Sequence, residues 1–252
     1  MLQVCLNGTR GPGDAAAVPM SPESLAESAA RAVAAGAVEV RMHPRTPCGG
    51  TSLSPRVLGP ALRSVRAAVG GGVRVTTAVA AEPDAGRRTE RIRSWAVLPD
   101  LVSVDWHEPG AEEVAGALLE RGIGVEAGLW ARTDGPERFA RSALAPRVRR
   151  VLTKVPWPSA WSGAEEAACS CLSGLQLPPG VPVLAHGEDA GAWPVLRLAR
   201  RLGLAVRIGL EDTVLLPDGT RARSNAELVA AALAGPGGLS ITRPDPEVAG
   251  AP

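Results

Sequence analysis

Eight short runs rich in β-branched and other apolar residues recur along the chain, each separated from the next by an Ala/Leu/Arg/Glu-rich stretch. This alternation restricts the fold more than any other feature of the sequence. The runs are QVCLNG (3–8), VEVRMHP (38–44), VRVTTAV (73–79), LVSVDW (101–106), GVEAGLW (124–130), VRRVLTKV (148–155), VPVLAHG (181–187) and AVRIGLED (205–212). Helical segments are expected between and after them, near 55–68, 87–96, 111–121, 136–143, 160–172, 190–202 and 225–234. The first begins at Ser21, an N-cap followed by Pro22 and Ser24, and stops at Gly36. Strand and helix repeated eight times over 252 residues predict an α/β fold, a single (β/α)8 TIM barrel spanning 1–252. An open doubly wound sheet is disfavoured because GPGD at Gly11 is not a GxGxxG turn and opens no helix. The tail from about 236 is turn-rich.

Bulk properties exclude more than they assign. A net charge of +1 gives no global field for nucleic acid. No apolar run reaches the roughly 18 residues of a membrane span, and the start MLQVCLNGTR lacks the pattern of a secretory leader, so a cytoplasmic location is expected. Cys5, Cys48, Cys169 and Cys171 show no CxxC spacing, which disfavours a disulfide framework or a thiolate zinc site.

In a barrel of this kind the chemistry lies where strands end and the following loops begin. The expected strands close on polar groups: Asn7, His43, Thr76 with Thr77, Asp105 with His107, Glu126, Lys154, His186, and Glu211 with Asp212. Groups costly to bury singly can there pair with one another or with a ligand. All three histidines fall at this rim, a pattern suited to metal ligation or proton transfer. Arg207 precedes Glu211 by four residues on the same strand face, which suits a carboxylate-bearing substrate but equally a structural ion pair. Adjacent strand residues point to opposite sides, so only one of Glu211 and Asp212 is expected to face the axis. Lys154, the only lysine, opens a second chemistry, a Schiff base with a carbonyl substrate.

The segments LNGTR, VEVRMHPR, VTTAVAAEPD, PDLVSVDWHEPGAEEV, GVEAGLW, LAHGEDAGAWPVL and VRIGLEDTVLLPDGTRARSNAELV, in this order, resemble the β-keto acid cleavage enzymes from about Gln3 to Ala232. The resemblance implies a zinc-dependent barrel that cleaves a β-keto acid with acetyl-CoA, giving acetoacetate and a new acyl-CoA, in an oligomer. It assigns metal ligation to His43 and Glu211, and catalytic roles to Arg207, Asp212, Glu126 and Thr76. Asn7, Thr77, Asp105, His107 and His186 join them as candidate substrate contacts. The sequence departs from the family's HxHxRD motif at two places: Arg41 stands at the first histidine and Thr46 at the aspartate. A third zinc ligand must then come from His107, His186 or Glu126, or the metal is lost and Arg41 stabilises an enolate or carboxylate in its place. Loss of the motif also allows a barrel that binds ligand without turnover. Six tryptophans in a chain with one phenylalanine and no tyrosine are candidates for interface, core or pocket positions.

Overall fold

A computed structural model describes residues 1–130, 133–155 and 164–234, the side chains of 164–167 and 171 apart. Its eight strands are β1 (Leu2–Cys5), β2 (Glu39–Arg41), β3 (Arg74–Ala78), β4 (Leu101–Asp105), β5 (Gly124–Trp130), β6 (Arg150–Lys154), β7 (Val183–His186) and β8 (Ala205–Ile208). They pair in parallel in chain order, and Leu2 and Gln3 register with Val206 and Arg207 to close the barrel. Among the described residues the eight α-helices are α1 (Pro22–Ala34), α2 (Pro55–Val69), α3 (Ala85–Ser94), α4 (Ala111–Glu120), α5 (Gly135–Arg141), α6 (Ala164–Ser173), α7 (Ala192–Arg201) and α8 (Asn225–Ala234). The expected (β/α)8 architecture is therefore present. Residues 160–163, the tail from 236, Trp157 and Trp161 lie outside the described residues.

Local signals account for the elements. At α1, Ser21 accepts from the Ser24 backbone N–H while the Ser24 hydroxyl accepts from Ser21, a reciprocal cap that satisfies two otherwise unpaired donors. The strands alternate between two kinds of side chain. Val4, Val40, Val75, Val102, Val125, Val151 and Val206 are fully or almost fully buried in the apolar core. Among the residues on either side of them, Gln3, Glu39, Arg41, Thr76, Ser103, Glu126, Arg150 and Arg207 are buried and polar. The apolar core thus lies between sheet and helices, and the barrel's own interior is charged. Trp95 and Trp106 are fully buried and Trp193 nearly so. Among the described residues no helix is long and apolar enough to cross a membrane.

Strand β8 ends four residues earlier than the sequence suggests. Gly209 begins a turn in which the Asp212 and Thr213 N–H groups donate to its carbonyl at 2.9 and 3.0 Å. A Cβ at Gly209 would stand 1.9 Å from the Cys5 carbonyl oxygen, so β1 and this turn approach closely only because the residue is glycine.

Candidate active site

A cavity of about 460 Å3 opens at the carboxyl ends of the strands, within the usual range for small-molecule sites. Arg41, His43, Asp105, His186, Arg207 and Glu211 are among the residues that line it. Trp130, one of the tryptophans expected at an interface, core or pocket position, also lines it, as do Ser103 and Glu188, which the sequence reading did not single out. Ser103 accepts from Arg41 Nη1 at 2.5 Å; its signal was the two-residue spacing from Asp105 on one strand face.

Below the cavity runs a ladder of alternating charges. Arg74 Nε meets Glu39 at 3.0 Å, and Glu39 also pairs with Arg150. Arg150 Nε meets Glu126 at 2.5 Å, and Arg41 Nη1 meets the other oxygen of Glu126 at 3.1 Å. Arg41 Nε then lies 3.5 Å from Glu211 Oε1, which is 3.1 Å from Arg207 Nη2. Arg207 Nη2 finally reaches Asp212 at 2.6 Å. Apart from the half-buried Arg74, every rung is almost wholly enclosed, so each charge depends on its neighbours for the solvation it has lost.

The turn after β8 lets Glu211 and Asp212 converge on one guanidinium, although a continued strand would have sent them to opposite faces. Arg207 donates through Nε at 3.1 Å and Nη2 at 2.6 Å to Asp212 Oδ1, and through Nη2 to Glu211. Burial alone would raise the Glu211 carboxyl; the charges of Arg207, His43 and Arg41 outweigh it and hold the group well below the usual carboxylate range. Burial would likewise raise Glu126, but Arg150 and Arg41 keep it depressed. Desolvation opposes the charge on Arg207, yet Asp212 and its other anionic neighbours raise it well above normal. For His186 desolvation and then Arg207 win over Asp212, and its pKa is lowered.

The remaining expected residues divide into those at the cavity and those that brace it. His43, Arg41, Asp105, His186, Arg207 and Glu211 reach it. Asp212 is fully buried behind them, with His186 Nδ1 3.4 Å from its Oδ1. Asn7 spends its amide on the His43 and Pro19 carbonyls at 2.9 and 3.1 Å and accepts from the His43 N–H, so it pins the His43 backbone. Thr76 accepts from Gln3 at 3.4 Å inside the barrel, and Glu126 is held between Arg41 and Arg150. Thr77 registers with Val102, on the strand face opposite Thr76, and its buried hydroxyl has no partner. The ring of His107 packs 5.4 Å from that of Trp130, beside the cavity and not on its wall. Lys154 pairs with Glu188 and sits 4.9 Å over the Trp130 ring. Lys154 is not among the residues that line the cavity, so its placement does not favour a Schiff base with a substrate bound there.

Two family-type metal ligands meet: His43 Nε2 is 3.5 Å from Glu211 Oε2. Among the described residues no third joins them. Glu126 is bound to two guanidinium groups, His186 faces Asp212, and His107 stands off the cavity. Among the described residues no group of three or more His, Cys, Asp or Glu side chains is placed to hold a metal ion. With Arg41 as the third neighbour, the donor set does not fit the zinc centre that the resemblance implies.

No curated protein matches the chain in sequence. Two solved structures of ObcA share the fold. One is the apo form (14% identity, TM-score 0.67), the other a ternary complex with a C4-CoA adduct and oxalate (15% identity, TM-score 0.65). Each alignment covers 85% of this chain, which spans only 60% and 62% of the respective ObcA chains. The 3-hexulose-6-phosphate synthase of Salmonella typhimurium is similar over 92% of this chain and 98% of its own, at 10% identity and a TM-score of 0.55. At these identities the likeness is one of fold alone. The sequence profile of the beta-keto acid cleavage enzymes, in contrast, matches residues 1–125 and 162–242, most of the chain, with the rim residues Arg41, His43, His186, Arg207 and Glu211 inside the match. This chain belongs to the beta-keto acid cleavage enzyme family.

Proposed function

We propose that the chain catalyses carbon–carbon bond cleavage or condensation of the retro-Claisen type on a β-keto acid, with an acyl-CoA, acetyl-CoA by analogy with the family, as co-substrate. The observation that carries this reading is the pair of guanidinium groups, Arg41 and Arg207, flanking Glu211 in the wall of the cavity of a family member. The ObcA complex with a C4-CoA adduct and oxalate supports an acyl-CoA and a small carboxylate as the ligands.

Loss of the α-proton gives an enolate that takes the acetyl group from acetyl-CoA and releases the CoA thiolate. The thiolate adds to the β-keto carbon and the bond between the α and β carbons breaks; the acyl group leaves on CoA, and the electron pair stays on the acetoacetate fragment as its enolate, which takes the proton back. Negative charge therefore gathers on oxygen in the transition state, where donors already in position stabilise it most. Arg41 Nε is buried without a hydrogen-bond partner, and its N–H is the donor offered to the keto oxygen. Arg207 binds the substrate carboxylate. Asp212 handles the proton, and because it is enclosed it acts through His186, which lines the cavity. The lowered pKa of His186 keeps its imidazole neutral near pH 7, the form able to accept a proton. Glu126 orients Arg41 from below.

Acetoacetate formation from β-keto acids and acetyl-CoA tests the reading. E211Q, which loosens the two guanidinium groups that Glu211 holds, and D212N, which removes the carboxylate behind His186, should each lose about a hundredfold or more in turnover. Full activity in both variants would refute it. Arg41 in place of a family ligand favours one alternative, a barrel that binds these ligands without turnover. That reading predicts thermal stabilisation by β-keto acid or acyl-CoA with no product.

A further inference from the structure

Three buried polar atoms without hydrogen-bond partners lie at the Glu211 carboxylate: Arg41 Nε, His43 Nε2 and Glu211 Oε2. His43 Nε2 lies 3.5 Å from Glu211 Oε2, and Arg41 Nε lies 3.5 Å from Glu211 Oε1. Two ligands of a tetrahedral zinc ion, bound at about 2.0–2.1 Å, stand about 3.3–3.4 Å from each other. Arg41 and His43 are two residues apart on one face of β2 and its extension. Arginine Nε and histidine Nε2 are the same number of bonds from Cβ. Position 41 therefore presents a nitrogen at the same bond separation as an imidazole Nε2, 3.5 Å from the Glu211 carboxylate, but one that carries a proton and a shared positive charge, with no lone pair for a metal.

Charge points the same way. The ladder contains four guanidinium groups (Arg74, Arg150, Arg41, Arg207) and four carboxylates (Glu39, Glu126, Glu211, Asp212), and is neutral with Arg41 in place. A divalent ion beside Glu211 would add two positive charges next to Arg41 and Arg207.

We infer that this seat keeps the frame of a three-ligand metal site but accepts an oxygen of the organic acid substrate in place of a divalent cation, and that the single exchange R41H turns it into a zinc site. Arg207 and the close packing of Gly8 hold Glu211 without help from position 41, so the frame survives the exchange.

The inference rests on the same reading of the rim as the reaction site, but its readout needs no substrate. The untagged full chain is dialysed against zinc, then against metal-free buffer, and its ion content is measured; cobalt(II) titration reports coordination through visible absorption. The wild type should retain less than about 0.1 ion per chain and R41H about one, with the intense spectrum of four-coordinate cobalt. Because R41H leaves Glu126 with one guanidinium fewer, R41H/E126Q is measured beside it, the neutral amide remaining beside Arg150. About one ion held by the wild type overturns the inference, and so does a folded R41H or R41H/E126Q that binds no more metal than the wild type. A metal-free wild type without activity overturns the proposed reaction and leaves the inference standing.

Discussion

Replacing Arg150 by methionine keeps most of the side chain's length and removes the rung that joins the floor of the barrel to its upper half. Arg150 donates to Glu126 at 2.5 Å and to Glu39 at 3.1 Å, and both carboxylates are at most 1% exposed. Removing one partner of a buried ion pair costs about 3–5 kcal/mol, because the remaining charge stays in the interior uncompensated. Two carboxylates lose a partner here, but Glu39 keeps Arg74 and Glu126 keeps Arg41, so the expected loss stays within that range and does not double it. For a domain of this size each kcal/mol moves the melting temperature by about 2–4 °C, which gives a fall of about 6–20 °C. Thermal and urea unfolding at pH 7 measure it. Burial alone would raise Glu126, while Arg150 and Arg41 depress it below its value in the unfolded chain. The stability it contributes is therefore complete above about pH 4.3, the ordinary glutamate value, and is lost as pH falls through the lower folded value. The gap between wild type and R150M should accordingly narrow in acid. A variant within about 2 °C of wild type at pH 7, or a gap that does not change with pH, would refute the claim that this ladder holds the barrel together.

Other consequences follow from the same geometry. Gly8 has φ +53°, and a Cβ there would lie 2.3 Å from Glu211 Cγ, so G8A should cost about 1–3 kcal/mol and reduce activity by displacing Glu211. An active G8A of native melting temperature would contradict that packing. Burial and Arg207 lower the pKa of His186, so its contribution to stability is full above about pH 6.5 and declines as pH falls toward the folded value. Melting curves at pH 5.5 and 7.5 should therefore differ less in H186N than in wild type. Cys5 is fully buried and burial pushes its thiol well up, whereas Cys48 is exposed. Peptide mapping after alkylation should find Cys48 modified in the native protein and Cys5 only after unfolding; equal labelling would contradict the burial.

The fold was readable because each strand has one face of Val, Ile or Leu, and each helix a boundary residue such as Ser21 or a glycine stop. Rim groups at strand ends were readable by the same logic: His43, Asp105, His186 and Glu211 all line the cavity, as does Arg207, read from its spacing to Glu211, while Arg41 came from the family motif. Two charges deeper in the barrel were not. Glu39 and Arg150 begin their strands, where a charge normally meets solvent, and only the barrel's closure reveals that they face each other across its interior. Asn7, Thr77 and His107 occupy strand ends but point their polar atoms at backbone, core or a neighbouring ring, distinctions that depend on one residue of register. The turn at Gly209 escaped notice because GLED continues the apolar alternation of β8, and its close approach to Cys5 is long-range.

The alternating charges inside the barrel tie together positions that a designer would treat as separate. Reversing or deleting one rung sets two like charges side by side in a dry interior, and only a compensating exchange at the next rung restores the pattern. Arg41 belongs both to the cavity wall and to the pair with Glu126, so altered substrate choice at the mouth draws the floor along with it. Libraries that vary positions 41, 207 and 211 should therefore yield folded proteins more often when 126 and 150 vary with them: mouth and floor are inherited as one unit.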